Sequence, residues 1–286
     1  MVIGKTNAER FKKIVVATLL ILVCAAAAMP FLWMISSSFK ERGEIFTFPP
    51  VWIPREPTIS GYLGLLEQNI FGSAGFRDFT INSVVVSLTS AVISIVMAAI
   101  AGYSMSRFRL RGSPFLKYTI LLSQMMPGAL LLIPLYLFVS SLGLIDSHWS
   151  LILAYTSFTL PYCTYILKNY FDSIPPALDE AAMVDGCDRL GALFKVVFPL
   201  AAPGIVVTFT SAFIMAWNEF MFAMVFLNSY PQWTLPVALG SFRGQYLVDW
   251  GYLFAGSTLV TLPVLVLFLL LQKWLAAGFV SGAIKA

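Results

Sequence analysis

Six apolar stretches constrain this chain more than any other feature, at roughly Ile14 to Ile35, Phe79 to Ser104, Leu116 to Val139, Ser150 to Leu167, Ile205 to Leu227 and Gly251 to Gln272. A hydrocarbon core about 30 Å thick is crossed by about 20 helical residues, so each stretch is long enough to span with some tilt. Only 11% of the 286 residues are charged and 59% are hydrophobic. A soluble domain carries about 25% charged residues, and no water-facing surface could be covered with so few. The expected fold class is an all-α membrane protein with six transmembrane helices, read as one domain over residues 1–286 because no Gly/Ser linker or low-complexity tract divides it.

The first stretch follows Lys5, Arg10, Lys12 and Lys13, and Ala25 to Ala28 imitates a signal-peptide cleavage site. Its apolar run exceeds the roughly 7 to 15 residues of a signal core, and five more spans follow, so it reads as an uncleaved helix. With the N-terminus inside, 13 of the 18 Lys and Arg fall on that side of a six-span arrangement and five on the other. Positive loops are retained in the cytoplasm, which predicts both termini there. The outer loops then include residues 36–78, rich in proline and aromatics and too short for a domain of its own, and 228–250, either an ordered contact surface or a connector.

Cys24, Cys163 and Cys187 are far apart and His148 is the single histidine, so no metal-ligand or redox spacing is present. No dense block of Lys and Arg points to nucleic acid. The segment 172–203, expected on the cytoplasmic side, is longer than a plain connector. Ser173 can cap a helix that tolerates Pro175 and Pro176 in its first turn and runs through Leu178, Glu180, Ala181 and Ala182. Gly186 suits a left-handed turn that ends it, and Asp188 can cap a second helix carrying Leu190, Leu193, Phe194 and Val197 as one stripe before Pro199 and Pro203. Such a pair is either a docking surface or a helix resting on lipid headgroups.

The string Glu180-Ala181-Ala182-x-x-Asp185-Gly186, followed by Phe194 and by Pro199-Leu200-x-x-Pro203, resembles the EAA loop of bacterial binding-protein-dependent ABC importer permeases. Cys187 departs from the usual alanine and is small enough for the same turn. Similarity runs over essentially the whole chain to the sugar-importer branch, and within it to the smaller permease of maltose-type systems. Asn82-Ser83, Met125-Met126-Pro127, Ile133-Pro134-Leu135 and Ala216-Trp217-Asn218-Glu219-Phe220 carry it. The resemblance implies a type I ABC importer permease fold in the bacterial cytoplasmic membrane. It implies a coupling helix of Glu180, Ala181, Ala182, Asp185 and Gly186 seated in an ATPase subunit, and a pair of such ATPases carrying the ATP and Mg. It also implies a second, larger permease and an extracytoplasmic solute-binding protein. By the same resemblance, 228–250 reaches toward the binding protein and 278–286 contacts the ATPases.

Within the spans, Glu219 is the carboxylate that falls well inside one, facing either an interior path or snorkelling to water. Trp217 and Asn218 beside it would suit a sugar or simply pack and cap; Gln124 and Tyr155 are weaker pathway candidates. Ser83, Ser87, Ser90 and Ser94 share one helical face, where small side chains allow close packing. Pro127, Pro134 and Pro161 should kink or break their helices. With no G-x-x-x-x-G-K-[ST] loop in the chain, ATP hydrolysis is assigned to another polypeptide, and no catalytic constellation suggests an enzyme. The rival reading is an ion-coupled secondary transporter, which leaves the Glu180 loop unexplained. Within the importer class, glycerol-3-phosphate or another polar solute is the alternative to a sugar.

Overall fold

A computed structural model of the chain describes residues 7–66, 74–108, 112–243 and 248–283. Gly244 and Tyr246 of the 228–250 loop, the last three residues of the 278–286 tail, and Lys5, Arg109, Arg111 and Lys285 lie outside them. The described residues are helical apart from loops and an isolated bridge between Arg243 and Val248. In chain order the helices are α1 (Asn7–Ser38), α2 (Arg42–Ile45), α3 (Ser60–Leu66), α4 (Phe76–Arg107), α5 (Ser113–Met125), α6 (Gly128–Ser141) and α7 (His148–Asp172). They continue with α8 (Ala177–Val184), α9 (Arg189–Ala192), α10 (Phe198–Leu200), α11 (Ala202–Trp217), α12 (Met221–Phe226), α13 (Leu235–Ser241) and α14 (Trp250–Ala283).

Four helical segments are long and apolar enough to cross a membrane unaided: Phe11–Ser38, Phe76–Arg107, His148–Asp172 and Trp250–Trp274. Two bent pairs, Pro114–Met125 with Gly128–Ser141 and Arg189–Leu200 with Ala202–Trp217, raise the number to six if each is one span. The first pair turns by 99° at Met126 and Pro127. Proline withholds an N–H and restricts the residue before it to extended backbone, and Met126 is extended, with ψ at 125°.

The chain divides into two compact units, Met1–Glu67 with Phe242–Leu259, and Gln68–Ser241 with Val260–Ala286. In the first, α1 presents apolar side chains on all sides, Leu19 to Val23 among them, as a helix in hydrocarbon does. The following segment is held by bonds within this unit. Ser38 and Tyr62 share a hydroxyl contact of 2.6 Å, Arg42 pairs with Asp249, and Phe46 meets Trp250 edge to face at 5.3 Å. Lys40 is 3% exposed, its ammonium 3.8 Å from the centre of the Trp33 ring. Burial lowers its pKa, partly offset by the Glu44 carboxylate.

In the second unit α4 and α7 lie side by side. Ser83, Ser87, Ser90 and Ser94 are all buried, and Ser94 meets Thr159 of α7 at 2.6 Å. Gly102 permits a close approach: a methyl group there would stand 3.0 Å from the backbone nitrogen of Lys168 and 3.2 Å from the carbonyl oxygen of Thr164. Small residues let the two backbones close up where no hydrophobic force between helices operates. Helix α11 packs against the same pair, and its Thr208, Ala212 and Phe213 are buried.

Candidate functional site

At the end of this pair where α4 finishes and α7 leaves, the chain forms the helix, tight turn and helix expected over 172–203. The details differ in two places, the start of the first helix and the course of the second. Ser173 is not the N-cap of α8; it ends α7 instead, its hydroxyl donating back to Tyr170 O at 2.6 Å. Pro176 starts α8 without a side-chain cap. Gly186 has φ at +90°, the left-handed conformation that glycine adopts without steric cost, and Cys187 N donates to Ala182 O at 3.0 Å to close the helix. Asp188 caps α9 as expected, accepting from Gly191 N at 2.8 Å.

The second helix does not stop before Pro199. It passes from α9 through a π-turn at Leu193–Val197 into α10, and the chain then bends by 84° into α11. The wider π-turn rotates the side chains, so the stripe splits: Leu193 and Val197 are fully buried while Leu190 and Phe194 stay half exposed.

One face of α8 is free and the other held. Glu180, Ala181, Val184, Asp185 and Gly186 are exposed, whereas Asp179 and Ala182 are buried. Asp179 was missed from sequence. Its Oδ2 accepts from Arg107 Nε, and its Oδ1 from the Tyr103 hydroxyl at 3.3 Å. Arg107 uses its remaining nitrogens on the carbonyls of Phe171 (2.9 Å) and Ile174 (3.0 Å) and on the Ser106 hydroxyl (3.1 Å). The available signal was positional: Asp179 lies three residues before Ala182, on the inward face.

The intramembrane candidates form a second group. Helix α11 ends at Trp217 and α12 begins at Met221, so the fifth stretch is interrupted where Glu219 sits. Glu219 accepts from Phe222 N (2.9 Å), Ala223 N (3.2 Å) and the Tyr155 hydroxyl (2.7 Å). A carboxylate at a helix N-terminus satisfies amides that have no partner within the helix and meets the positive end of its dipole. Glu219 also lines a cavity of about 590 Å³ together with Gln124, Ser123, Ser157, Phe158 and Phe222. The Met126–Gly128 bend borders the same cavity. Trp217 and Asn218 do not line it. The Trp217 ring is buried and stacked on Phe213 at 5.5 Å, and the Asn218 amide donates to Ile214 O at 3.0 Å.

At the opposite end of α4, residues Asn228 to Leu235 of the 228–250 loop are held in place by hydrogen bonds. Asn82 donates to the carbonyls of Pro231 (2.8 Å) and Trp233 (2.9 Å), and Leu235 N donates to the Ser83 hydroxyl at 2.7 Å. Asp146 takes up a left-handed φ of 60° and accepts from Asn228 N (2.8 Å) and Ser229 N (3.0 Å). Burial pushes its carboxyl up, but these amide donors and the charge of His148 outweigh that and hold its pKa below the ordinary value.

Residues 92–281 match the protein family described as binding-protein-dependent transport system inner membrane component. Among relatives, the trehalose/maltose transport system permease protein MalG of Thermococcus litoralis is 32% identical over 278 residues, covering 97% of this chain and 98% of that protein. The probable ABC transporter permease protein YurM of Bacillus subtilis is 36% identical over 93% of this chain and 86% of its own length. The diacetylchitobiose uptake system permease protein DasC of Streptomyces coelicolor is 33% identical over 90% of this chain and 91% of its own. The fold is that of a chain in the crystal structure of a bacterial ABC transporter importing the acidic polysaccharide alginate. The TM-score is 0.77 at 23% identity, over 95% of this chain and 99% of that one. The chain therefore belongs to the family of binding-protein-dependent transport system inner membrane components, the permeases of ABC importers.

Proposed function

We propose that the chain is one permease half of an ATP-driven importer that brings a sugar or related carbohydrate into the cytoplasm, with ATP and Mg held on two separate ATPase subunits. The observation that carries this is the exposed face of α8. Glu180, Ala181, Val184, Asp185 and Gly186 stand free on a short helix anchored from behind to the end of α4. Small Ala181 permits close approach, and Glu180 and Asp185 offer carboxylates to basic or backbone donors of a partner. The excess of Lys and Arg on this side supports a cytoplasmic position for α8 and both termini.

A carbohydrate is supported by the relatives, whose names refer to trehalose/maltose and diacetylchitobiose. The cavity at Gln124 and Glu219 fits the path of such a solute, since it sets a few polar groups among aromatic rings beside two helix breaks. Tyr155 supports this wall from behind by holding Glu219. The partner permease is read as a different and larger subunit, and the ordered loop from Asn228 as the surface turned toward a solute-binding protein outside the membrane.

The ion-coupled alternative needs a carboxylate that releases and takes up protons during transport. Glu219 has three donors fixed on it, two of them amides that cannot be reoriented without unwinding α12. The test is gentle extraction of the tagged chain from its native membrane, followed by mass spectrometry of what accompanies it. An ATPase, a second permease and a binding protein are expected; the chain alone would contradict the reading.

A further inference from the structure

Force applied to the exposed face of α8 must leave through whatever holds α8 to the membrane helices. The helix is two turns long, with eight residues, and its inward face offers Ala182 and Asp179. Burial of one alanine provides little apolar contact. The helix also rests on the π-turn at Leu193–Val197, so what ties it directly to α4 and α7 is the polar contact of Asp179. Arg107 and Asp179 have side chains only 6% exposed each, and the guanidinium reaches three places at once: Asp179 on α8, and Phe171 O and Ile174 O at the end of α7. Tyr103, one turn before Arg107 on α4, completes the carboxylate with its hydroxyl and lies edge to face with Phe171 at 6.1 Å.

We propose that Arg107 and Asp179 are a positioning pair that locks the coupling helix to the joined ends of α4 and α7, so that α8, α4 and α7 move as one body when a partner pushes on α8. Resting on the importer reading for the origin of the push, the proposal adds residues outside the Glu180 to Gly186 string. The physics favours a rigid link. Removing one member of a buried pair leaves an uncompensated charge, so α8 cannot lift away from α4 cheaply, whereas an exposed pair would exchange with water at little cost. Guanidinium geometry also fixes direction, because its planar donors hold three acceptors in one arrangement that a lysine could not.

Two measurements on the purified complex test this. In the first, amide hydrogen exchange of residues 177–184 is compared among the native chain, Asp179→Asn and Arg107→Lys. Asp179→Asn should speed exchange of α8 at least about tenfold while leaving α4 and α7 unchanged, and Arg107→Lys, which keeps the charge but cannot hold three acceptors, should speed it by about threefold or more. Unchanged exchange in Asp179→Asn, or in Arg107→Lys, overturns the proposal. If Asp179→Asn does not accumulate, Tyr103→Phe removes a single hydrogen bond and should speed α8 about two- to fivefold; no change there overturns it equally.

In the second, spin labels on Leu178→Cys and Trp149→Cys, both exposed positions and neither among the residues of the partner face, report the distance from α8 to the far end of α7 in a chain otherwise free of cysteine. One narrow distance, the same with and without ATP and vanadate, is expected for the native pair, and a second, ATP-dependent distance for Asp179→Asn. A native distance that shifts with ATP overturns the single-body link. Failure to recover any ATPase with the native chain strikes the importer reading instead, and the exchange experiment then judges the pair alone.

Discussion

The Tyr155 hydroxyl donates to Glu219 Oε2 at 2.7 Å, joining α7 to the point where α11 gives way to α12. The same carboxylate holds two amides at the start of α12, so a charged side chain is placed inside an apolar stretch by satisfying donors that the helix break itself exposes. Tyr155 is 1% exposed and has its polar tip answered there. Charge, break and tyrosine belong to one arrangement.

Replacing Glu219 by alanine removes a cap and leaves the Tyr155 hydroxyl buried without an acceptor, a loss of about 2 to 4 kcal/mol. Tyr155→Phe removes one donor and leaves the cap, a loss of about 1 kcal/mol. Thermal unfolding in detergent should rank them in that order, and the double variant should lose less than the sum, since the two side chains are in contact. Additive losses would mean that the contact contributes nothing.

Gly186 holds φ at +90° with open space where a Cβ would stand, so a side chain there is opposed by the backbone and not by neighbours. Gly186→Val should cost about 1 to 2 kcal/mol locally and distort the turn between α8 and α9. Uptake should fall well below that of the native complex while the spans keep their fold by circular dichroism and ATP hydrolysis continues. Unimpaired uptake would remove this turn from the coupling surface.

A Cβ at Gly102 would stand 3.0 and 3.2 Å from backbone atoms of α7, contacts that no rotamer change can relieve. Gly102→Leu should destabilise the α4–α7 pair by about 1 to 3 kcal/mol. Gly43, with nothing within 4 Å of its would-be Cβ, serves as the control: Gly43→Ala should be nearly neutral in the same unfolding assay.

Asp146 ties the start of the 228–250 loop to the turn before α7, and its pKa lies below the ordinary carboxylate value when folded. A depressed folded pKa contributes stability above the unfolded value of about 4, lost as the pH falls through the folded value. Protease resistance of residues 228–241 should therefore be constant from neutral pH down to about 5 and decline only below about 4. Asp146→Ala should abolish that dependence and show the weaker resistance at every pH.

The spans were legible in the sequence because a run of about 20 apolar residues is a bulk property that no distant contact overrides. The turn at Gly186 and the cap at Asp188 were legible for the opposite reason: each is settled by the residue itself and its immediate neighbours. What escaped depends on pairs distant in the chain. Glu219 and Tyr155 are 64 positions apart, and Asp179 and Arg107 are 72, so neither the break at Glu219 nor the anchored face of α8 has a local signature. Trp217 illustrates the same limit. From sequence its ring suits a sugar or simply packs, and only the distant fold shows it buried and stacked on Phe213. Local preference makes Ser173 a cap for α8, but its hydroxyl is taken by the Tyr170 carbonyl in the last turn of α7.

The central claim is that this chain forms half of a transporter driven by ATP through its α8 surface. Its most direct test is solute uptake into proteoliposomes holding the complex purified on this chain, supplied with its binding protein and the sugar which that protein retains. Uptake that requires ATP on the α8 side, persists when ionophores collapse all ion gradients and fails in Gly186→Val is the predicted result. Uptake that ignores ATP and stops with the ionophores would contradict it.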